Sequence, residues 1–357
     1  MYKKFIIKLI SLIVILLILI SGTVIIVDPF YQYHKPFFGL KPDFNNERYQ
    51  NPGIAKNFDY DAMLLGSSMT ENFRVSEINK TFDCNAVKLS FPATRTGNMN
   101  YMLSFGLKSH DIKKVIIGLD IDSLTADYGT YFIPLPEYLY DDNILNDVNY
   151  VLNKSVMVDG VKWILDNKRN NIPDIDLAHY WADDYVFSKE EALKSVYWDI
   201  EEHKERVDDP LLLANVMKNL NTNIIPHIKN NPNTEFYIFY PPYSVLWWNI
   251  HENYGDLDDI YDVVKKVSDE LLRYDNVKLY NFQIKEEVVT NLDNYKDYNH
   301  YSGKINSEIL DWMKNDKCLV TKDNSKETLD KLKKIINEYD YASIAEEIKA
   351  ANKKVND

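Results

Sequence analysis

Apolar and polar positions divide the chain into stretches of different rhythm. The first is an uncharged run from Leu9 to Val27, preceded by Met1-Tyr2-Lys3-Lys4 and Lys8. As a helix that run would span roughly 28 Å, close to the thickness of bilayer hydrocarbon. A secretory signal peptide shares the basic start and the apolar run. The run is longer than a usual signal core, however, and no Ala-x-Ala-like site precedes Asp28, so the pattern favours an uncleaved signal anchor over residues 1–28. Lysines before it and acidic residues after it place the N-terminus in the cytoplasm and the bulk of the chain outside. Residues 29–57, rich in Pro, Tyr and Asn, read as a juxtamembrane arm.

From residue 58 the rhythm changes to short apolar runs alternating with helical spacing. Tyr60 to Leu65, Asn85 to Phe91 and Lys114 to Asp120 predict strands, with a helix from Gly97 to Leu107 carrying Met99, Met102 and Leu103 on one face. The pattern breaks near Asp127. Up to about residue 209 the chain is polar and aromatic, with helical stretches from Val151 to Leu165 and from Ser188, where Ser188 and Glu191 form a capping box. This region reads as a mainly helical insertion, about 128–209, that either caps one face of the fold or thickens it. The alternation then resumes: a helix from Leu211 to Ile228, a strand from Glu235 to Tyr240, a helix from Leu257 to Leu272, a strand from Val277 to Phe282 and a helix from Ser302 to about Met313. Strands alternating with helices imply a doubly wound parallel sheet of five strands within an α/β domain over 58–320. Residues 321–357 form a charged tail with apolar positions at Leu329, Leu332, Ile336 and Tyr339, as in an exposed amphipathic helix.

Composition narrows the classes. A net charge of −13 without any basic stripe argues against a nucleic-acid partner. Two cysteines, Cys84 and Cys318, cannot make a disulfide framework and read as unpaired buried thiols. The seven histidines are scattered, and no zinc-type cluster is formed.

The chemistry sits at the two ends of the α/β domain. Gly66-Ser67-Ser68-Met69-Thr70 follows the first strand, and Asp297-Tyr298-Asn299-His300 precedes the last helix. A serine on a strand-to-loop turn, with an aspartate and a histidine three apart, is the equipment of nucleophilic acyl transfer. The histidine takes the serine proton and the aspartate fixes the imidazole tautomer. In open α/β sheets the ligand crevice lies at the carboxyl ends of the strands, where Ser68 falls. Ser67 reads as a turn residue whose hydroxyl caps a nearby N–H. After the fourth strand, Tyr240-Pro241-Pro242-Tyr243-Ser244-Val245-Leu246-Trp247-Trp248 places Tyr243, Trp247 and Trp248 at the same edge. Their rings either stack on sugars or hold the insertion against the sheet.

These residues resemble the SGNH/GDSL hydrolase superfamily. Gly66-Ser67-Ser68-Met69 is similar to its Gly-Asp-Ser-Leu block, with serine for aspartate, and Asp297 to His300 matches its Asp-x-x-His block. The resemblance implies a flavodoxin-like SGNH fold, Ser68 as nucleophile, His300 as general base, Asp297 as orienting carboxylate and the Ser68 backbone N–H in the oxyanion hole. The second block's glycine corresponds to Ala93 in Ser90-Phe91-Pro92-Ala93-Thr94, which donates equally well provided the turn does not demand φ > 0. The third block, Gly-x-Asn, corresponds to Gly118-Leu119-Asp120. An ionised Asp120 cannot donate to an oxyanion. Either Asp120 is protonated, or it points away while Asn98 or Asn100 donates, or the site is degenerate.

Within the superfamily the chain is similar to membrane-anchored, extracytoplasmic members: alginate-type O-acetyltransferases and proteins that help add D-alanine to teichoic acids. That likeness implies acyl transfer from a donor to a surface glycan, alongside a multi-span membrane partner, with no metal or organic cofactor. The alternatives are an esterase that deacylates such a glycan and a non-catalytic scaffold.

Overall fold

A computed structural model describes residues 2–126, 134–202, 204–205 and 209–356, so the expected start of the insertion, near Asp127, lies outside the described residues. The chain forms two compact units, one from Met1–Asp59 and Pro134–His179, the other from Tyr60–Ile133 and Tyr180–Asp357.

In the first unit, a helix over Tyr2–Val27 is long and apolar enough to cross a membrane. At its end Asp28 takes a left-handed conformation, φ 47°, and its carboxylate accepts from the backbone N–H groups of Gln32, Tyr33 and His34 and from the Tyr150 hydroxyl. This buried carboxylate turns the chain out of the helix, and the four donors meet the hydrogen-bonding demand that burial imposes on it. A helix over Glu47–Asn57 follows. The expected Val151 to Leu165 helix begins instead at Lys154, because Asn153 caps it by accepting from the Ser155 N–H, and it continues to Lys168.

The second unit is an α/β domain around a six-stranded sheet: β1 (Ala62–Leu65), β2 (Ala86–Lys88), β3 (Lys114–Gly118), β4 (Glu235–Tyr240), β5 (Val277–Asn281) and β6 (Leu319–Val320). The order is β2-β1-β3-β4-β5-β6, parallel through β5 and antiparallel at β6. Five strands were expected. The sixth is two residues long, too short to show any alternation. Helices on the sheet leave Val115, Ile116 and Ile117 of β3 buried, which is why that run is continuously apolar rather than alternating.

Four further expectations change. The helix expected from Leu211 to Ile228 is two, Leu212–Asn223 and Ile225–Asn230, since Pro226 cannot continue a helix but suits the first turn of a new one. Ser188 caps its helix by accepting from the Glu191 N–H at 3.2 Å, but its own N–H is taken by the Tyr295 carbonyl. The C-terminal stretch is not an exposed helix: Ser325–Glu338 and Tyr341–Asn356 bury Leu332, Ile336 and Ile344 against the domain. Cys84 and Cys318 are free and half-buried rather than buried.

Candidate active site

The site grows from the way β1 ends. Gly66 has φ 150°, and a Cβ there would lie 2.6 Å from Thr70 Cγ2. Gly118, at the end of β3, is closed by the same Thr70 methyl. Two glycines therefore make room for one buried threonine, whose hydroxyl bonds the Ser67 carbonyl at 2.8 Å and Ser90 Oγ at 2.7 Å. Ser67 is extended and caps a single-turn helix, Ser68–Glu71, accepting from the Met69 N–H at 3.2 Å. Buried Lys88 closes that turn, donating to the Glu71 carbonyl and, at 3.0 Å, to the Phe73 carbonyl. Ser68 is thereby fixed at the carboxyl edge of the sheet.

The histidine loop is held to the same turn. A bridge between Tyr295 and Tyr301 closes it. The Tyr301 hydroxyl and Asn306 Nδ2 both donate to the Met69 carbonyl, at 3.0 and 2.9 Å. Tyr295 donates to the Pro242 carbonyl at 2.7 Å. All three side chains are buried.

Ser68 Oγ lies 2.8 Å from His300 Nε2, and His300 Nδ1 lies 2.8 Å from Asp297 Oδ2. Asp297 also accepts from the backbone N–H groups of His300 (2.7 Å) and Asn299 (3.0 Å) and from Lys296 Nζ (2.9 Å). Burial opposes its ionisation, but the His300 ring, these N–H groups and the Lys296 ammonium outweigh it and hold the carboxyl well below the usual range. An ionised carboxylate only accepts, so Nδ1 carries the imidazole proton and Nε2 faces Ser68 as the acceptor.

A cleft of about 410 Å³ opens beside this chain of bonds, lined by Ser68, Ala93, Arg95, Asp120, Asp122, Tyr298, Asn299 and His300 among others. Ser68, Ala93 and Asp120 follow β1, β2 and β3, so consecutive strand ends supply them. The backbone N–H groups of Ser68 and Ala93 have no partner among the described residues. Ala93 has φ 50°, so the turn does demand the positive φ that would suit glycine.

Asp120 is 5% exposed. Its Oδ1 accepts from the Tyr243 hydroxyl at 2.6 Å, while Oδ2 has no hydrogen-bond partner among the described residues. Burial raises its pKa to about 6, against the opposing influence of the Ser67 and Tyr243 hydroxyls. Neither asparagine lines the cleft. Asn98 Oδ1 accepts from the Arg95 N–H at 2.9 Å as part of a helix cap, outside the cleft lining, and Asn100 Oδ1 pairs with His227 Nε2 at 2.7 Å.

Tyr243, Trp247 and Trp248 do not offer faces to a sugar. All are 2% exposed or less: Trp247 and Trp248 face the core from the helix Val245–Tyr254, and Tyr243 does so from the turn just before it. Tyr243 stacks on Trp247 with ring centroids 4.3 Å apart, and Trp248 stacks on Tyr261. The aromatic beside the histidine is Trp181. Its ring meets His300 edge-on at 5.6 Å, its Nε1 donates to the Ser68 carbonyl at 3.2 Å, and Asn72 Oδ1 accepts from its backbone N–H. Lys296 Nζ sits 5.2 Å from the Trp181 ring and 4.4 Å from that of Tyr185. No local motif marks Trp181, which lies in the polar, aromatic stretch. Among the described residues no cluster of His, Cys, Asp and Glu suits a metal ion.

No family model matches the chain, and no curated protein matches it significantly. Among solved structures, one described as "a putative platelet activating factor from Streptococcus pneumonia" is similar at 10% identity and a TM-score of 0.40, over 75% of this chain and 90% of that one.

Proposed function

We propose that this chain is a membrane-anchored serine acyl-transfer enzyme of SGNH type, with Ser68 as nucleophile, His300 as base and Asp297 as orienting group. The observation that carries the reading is the unbroken chain from Ser68 Oγ through both imidazole nitrogens to Asp297, each link 2.8 Å. The parallel part of the six-stranded sheet runs 2-1-3-4-5, which supports a likeness to flavodoxin-like sheets, in which ligands bind outside the carboxyl ends of the strands.

The reaction runs in two steps. Ser68 Oγ attacks the acyl carbonyl as His300 Nε2 takes its proton; the tetrahedral oxyanion faces the free N–H groups of Ser68 and Ala93. Collapse expels the leaving group, which takes the proton back from His300, and leaves an acyl-serine. His300 then removes a proton from an acceptor hydroxyl, whose oxygen bonds the acyl carbon, and returns that proton to Ser68 Oγ as the acyl–serine bond breaks.

The apolar N-terminal helix and the resemblance to membrane-anchored acyltransferases support an extracytoplasmic position. They also support a surface-glycan hydroxyl as acceptor and a multi-span membrane protein as source of the acyl group. Water as acceptor would make the same site an esterase. Asp120 beside the oxyanion position favours a second reading, a non-catalytic scaffold of similar fold.

The two readings separate in one experiment. The full chain in detergent is exposed to a fluorophosphonate, whose phosphorus would bond Ser68 Oγ with loss of fluoride, and its intact mass is measured beside Ser68→Ala. One adduct on the wild type and none on the variant is expected. A folded wild type that takes no adduct would overturn the enzyme reading and leave the scaffold.

A further inference from the structure

The helix Lys154–Lys168 packs on the last two turns of the N-terminal helix. Leu19, Ile20 and Val24 on one side and Val156, Gly160 and Val161 on the other line an apolar groove of about 320 Å³. Gly160 permits the approach, since a Cβ there would already be 3.2 Å from Val27 Cγ1. Val156, Gly160 and Trp163 form the buried face of this helix. The outward face, which borders the groove at Val161, carries Val158, Val161 and Leu165, spaced three and four apart and 56%, 59% and 43% exposed. Exposed Lys162, Lys168 and Arg169 are interspersed with them, alongside half-buried Asp159 and Asp166. The short helix Val148–Val151 also packs on the N-terminal helix, and the turn before it leaves Ile144 and Leu145 open. Contiguous exposed apolar surface of this kind is rare on monomers in water and commonly marks an interaction site.

We propose that this face lies in the lipid bilayer, making the first unit an interfacial foot as well as an anchor. The proposal rests on the membrane-anchor part of the function proposed above. Depth argues for lipid as the occupant. If the uncharged run Leu9 to Val27 spans the hydrocarbon, the turns that carry the groove lie within about 12 Å of its end. Interfacial amphipathic helices bury their apolar face about 5–10 Å deep, which is the same level. The cations around the stripe suit anionic headgroups. Acyl chains entering beside Leu19 and Val24 would fill the groove, which nothing else among the described residues covers.

The test uses the full chain with Cys84→Ser and Cys318→Ser, carrying one cysteine at position 12, 161, 165 or 197 labelled with an environment-sensitive fluorophore. Each protein is reconstituted into phosphatidylcholine–phosphatidylglycerol vesicles and exposed to spin-labelled lipid or to aqueous iodide. Labels replacing Val161 and Leu165 should be blue-shifted and quenched several-fold more by the lipid probe than a label replacing Tyr197, in the second unit, which iodide should reach. Labels at 161 and 165 that iodide quenches as readily as 197 would overturn the proposal. So would labels that neither probe reaches, because a protein partner or a second copy then covers the face. The label replacing Leu12 separates this failure from that of the anchor: lipid contact at 12 alone leaves the anchor standing, and none at 12 removes both.

Discussion

Replacing Asp120 by asparagine tests how the site treats a developing oxyanion. The side chain lines the cleft, its Oδ1 is held by the Tyr243 hydroxyl, and its free Oδ2 is the atom that a carboxamide would replace with an N–H donor. With a pKa of about 6, the neutral acid makes up about three quarters of Asp120 at pH 5.5 and about 3% at pH 7.5. If only the neutral form tolerates the oxyanion, the Asp120→Asn protein should outpace wild type by about 30-fold at pH 7.5 and match it near pH 5.5, a gain below the 10²–10³ that one oxyanion-hole donor contributes. The assay is the second-order rate of fluorophosphonate labelling of Ser68. Taking the ratio of variant to wild type at each pH cancels every titration the two proteins share. The ratio should climb tenfold per pH unit above 6. A ratio that stays flat from pH 5.5 to 8, or an asparagine variant slower throughout, would refute the reasoning. Stability gives an independent reading. Folding raises this carboxyl from 3.8 to about 6, so its contribution is complete below 3.8 and lost as pH rises to 6, about 3 kcal/mol in all. The asparagine variant should lack that loss.

Gly66→Ala puts a Cβ 2.6 Å from Thr70 in a backbone that L-residues avoid, and should cost about 2–4 kcal/mol by urea midpoint in detergent, with slower labelling of Ser68. Trp181→Phe keeps an aromatic edge on His300 but loses the Nε1 bond to the Ser68 carbonyl; a three- to tenfold drop in labelling rate with an unchanged melting temperature is expected, about 1 kcal/mol of positioning. Asp297 runs opposite to Asp120. Its folded pKa is depressed, so its stabilisation is present above 3.8 and lost as pH falls further, and Asp297→Asn should flatten the fall in melting temperature between pH 4 and pH 2.

What the sequence disclosed and what it withheld divide along a physical line. Gly66-Ser67-Ser68 is legible because a tight turn after a buried strand writes its needs in adjacent residues. Asp297 and His300 are legible because three residues of loop suffice to join their side chains. The supports of the site are pairings across the chain: Trp181 with Asn72, 109 residues away, and Asn306 with Met69, 237 away. No local period encodes such partners. The aromatic run after β4 was visible, but its direction was not. The turn at Tyr243 and the helix that Ser244 caps send Tyr243, Trp247 and Trp248 inward, and only the packed fold decides which side is inside.

Asp120 shows how these two kinds of information combine. Taken alone, an aspartate where the resemblance implies asparagine reads as a broken site. The fold pairs it with Tyr243, which donates to Oδ1 at 2.6 Å from a wholly buried ring. A tyrosine hydroxyl serves the carbonyl oxygen of an amide and that of a neutral acid equally well. Were the pocket built to keep Asp120 ionised, a cation or several N–H groups would surround it, as they surround Asp297 two strand-ends away. Instead two hydroxyls, those of Tyr243 and Ser67, are the groups that favour its charge, Oδ2 has no hydrogen-bond partner among the described residues, and burial outweighs them. The surroundings therefore treat position 120 as a neutral hydrogen-bonding group, and the carboxyl departs from that role only as pH rises past 6.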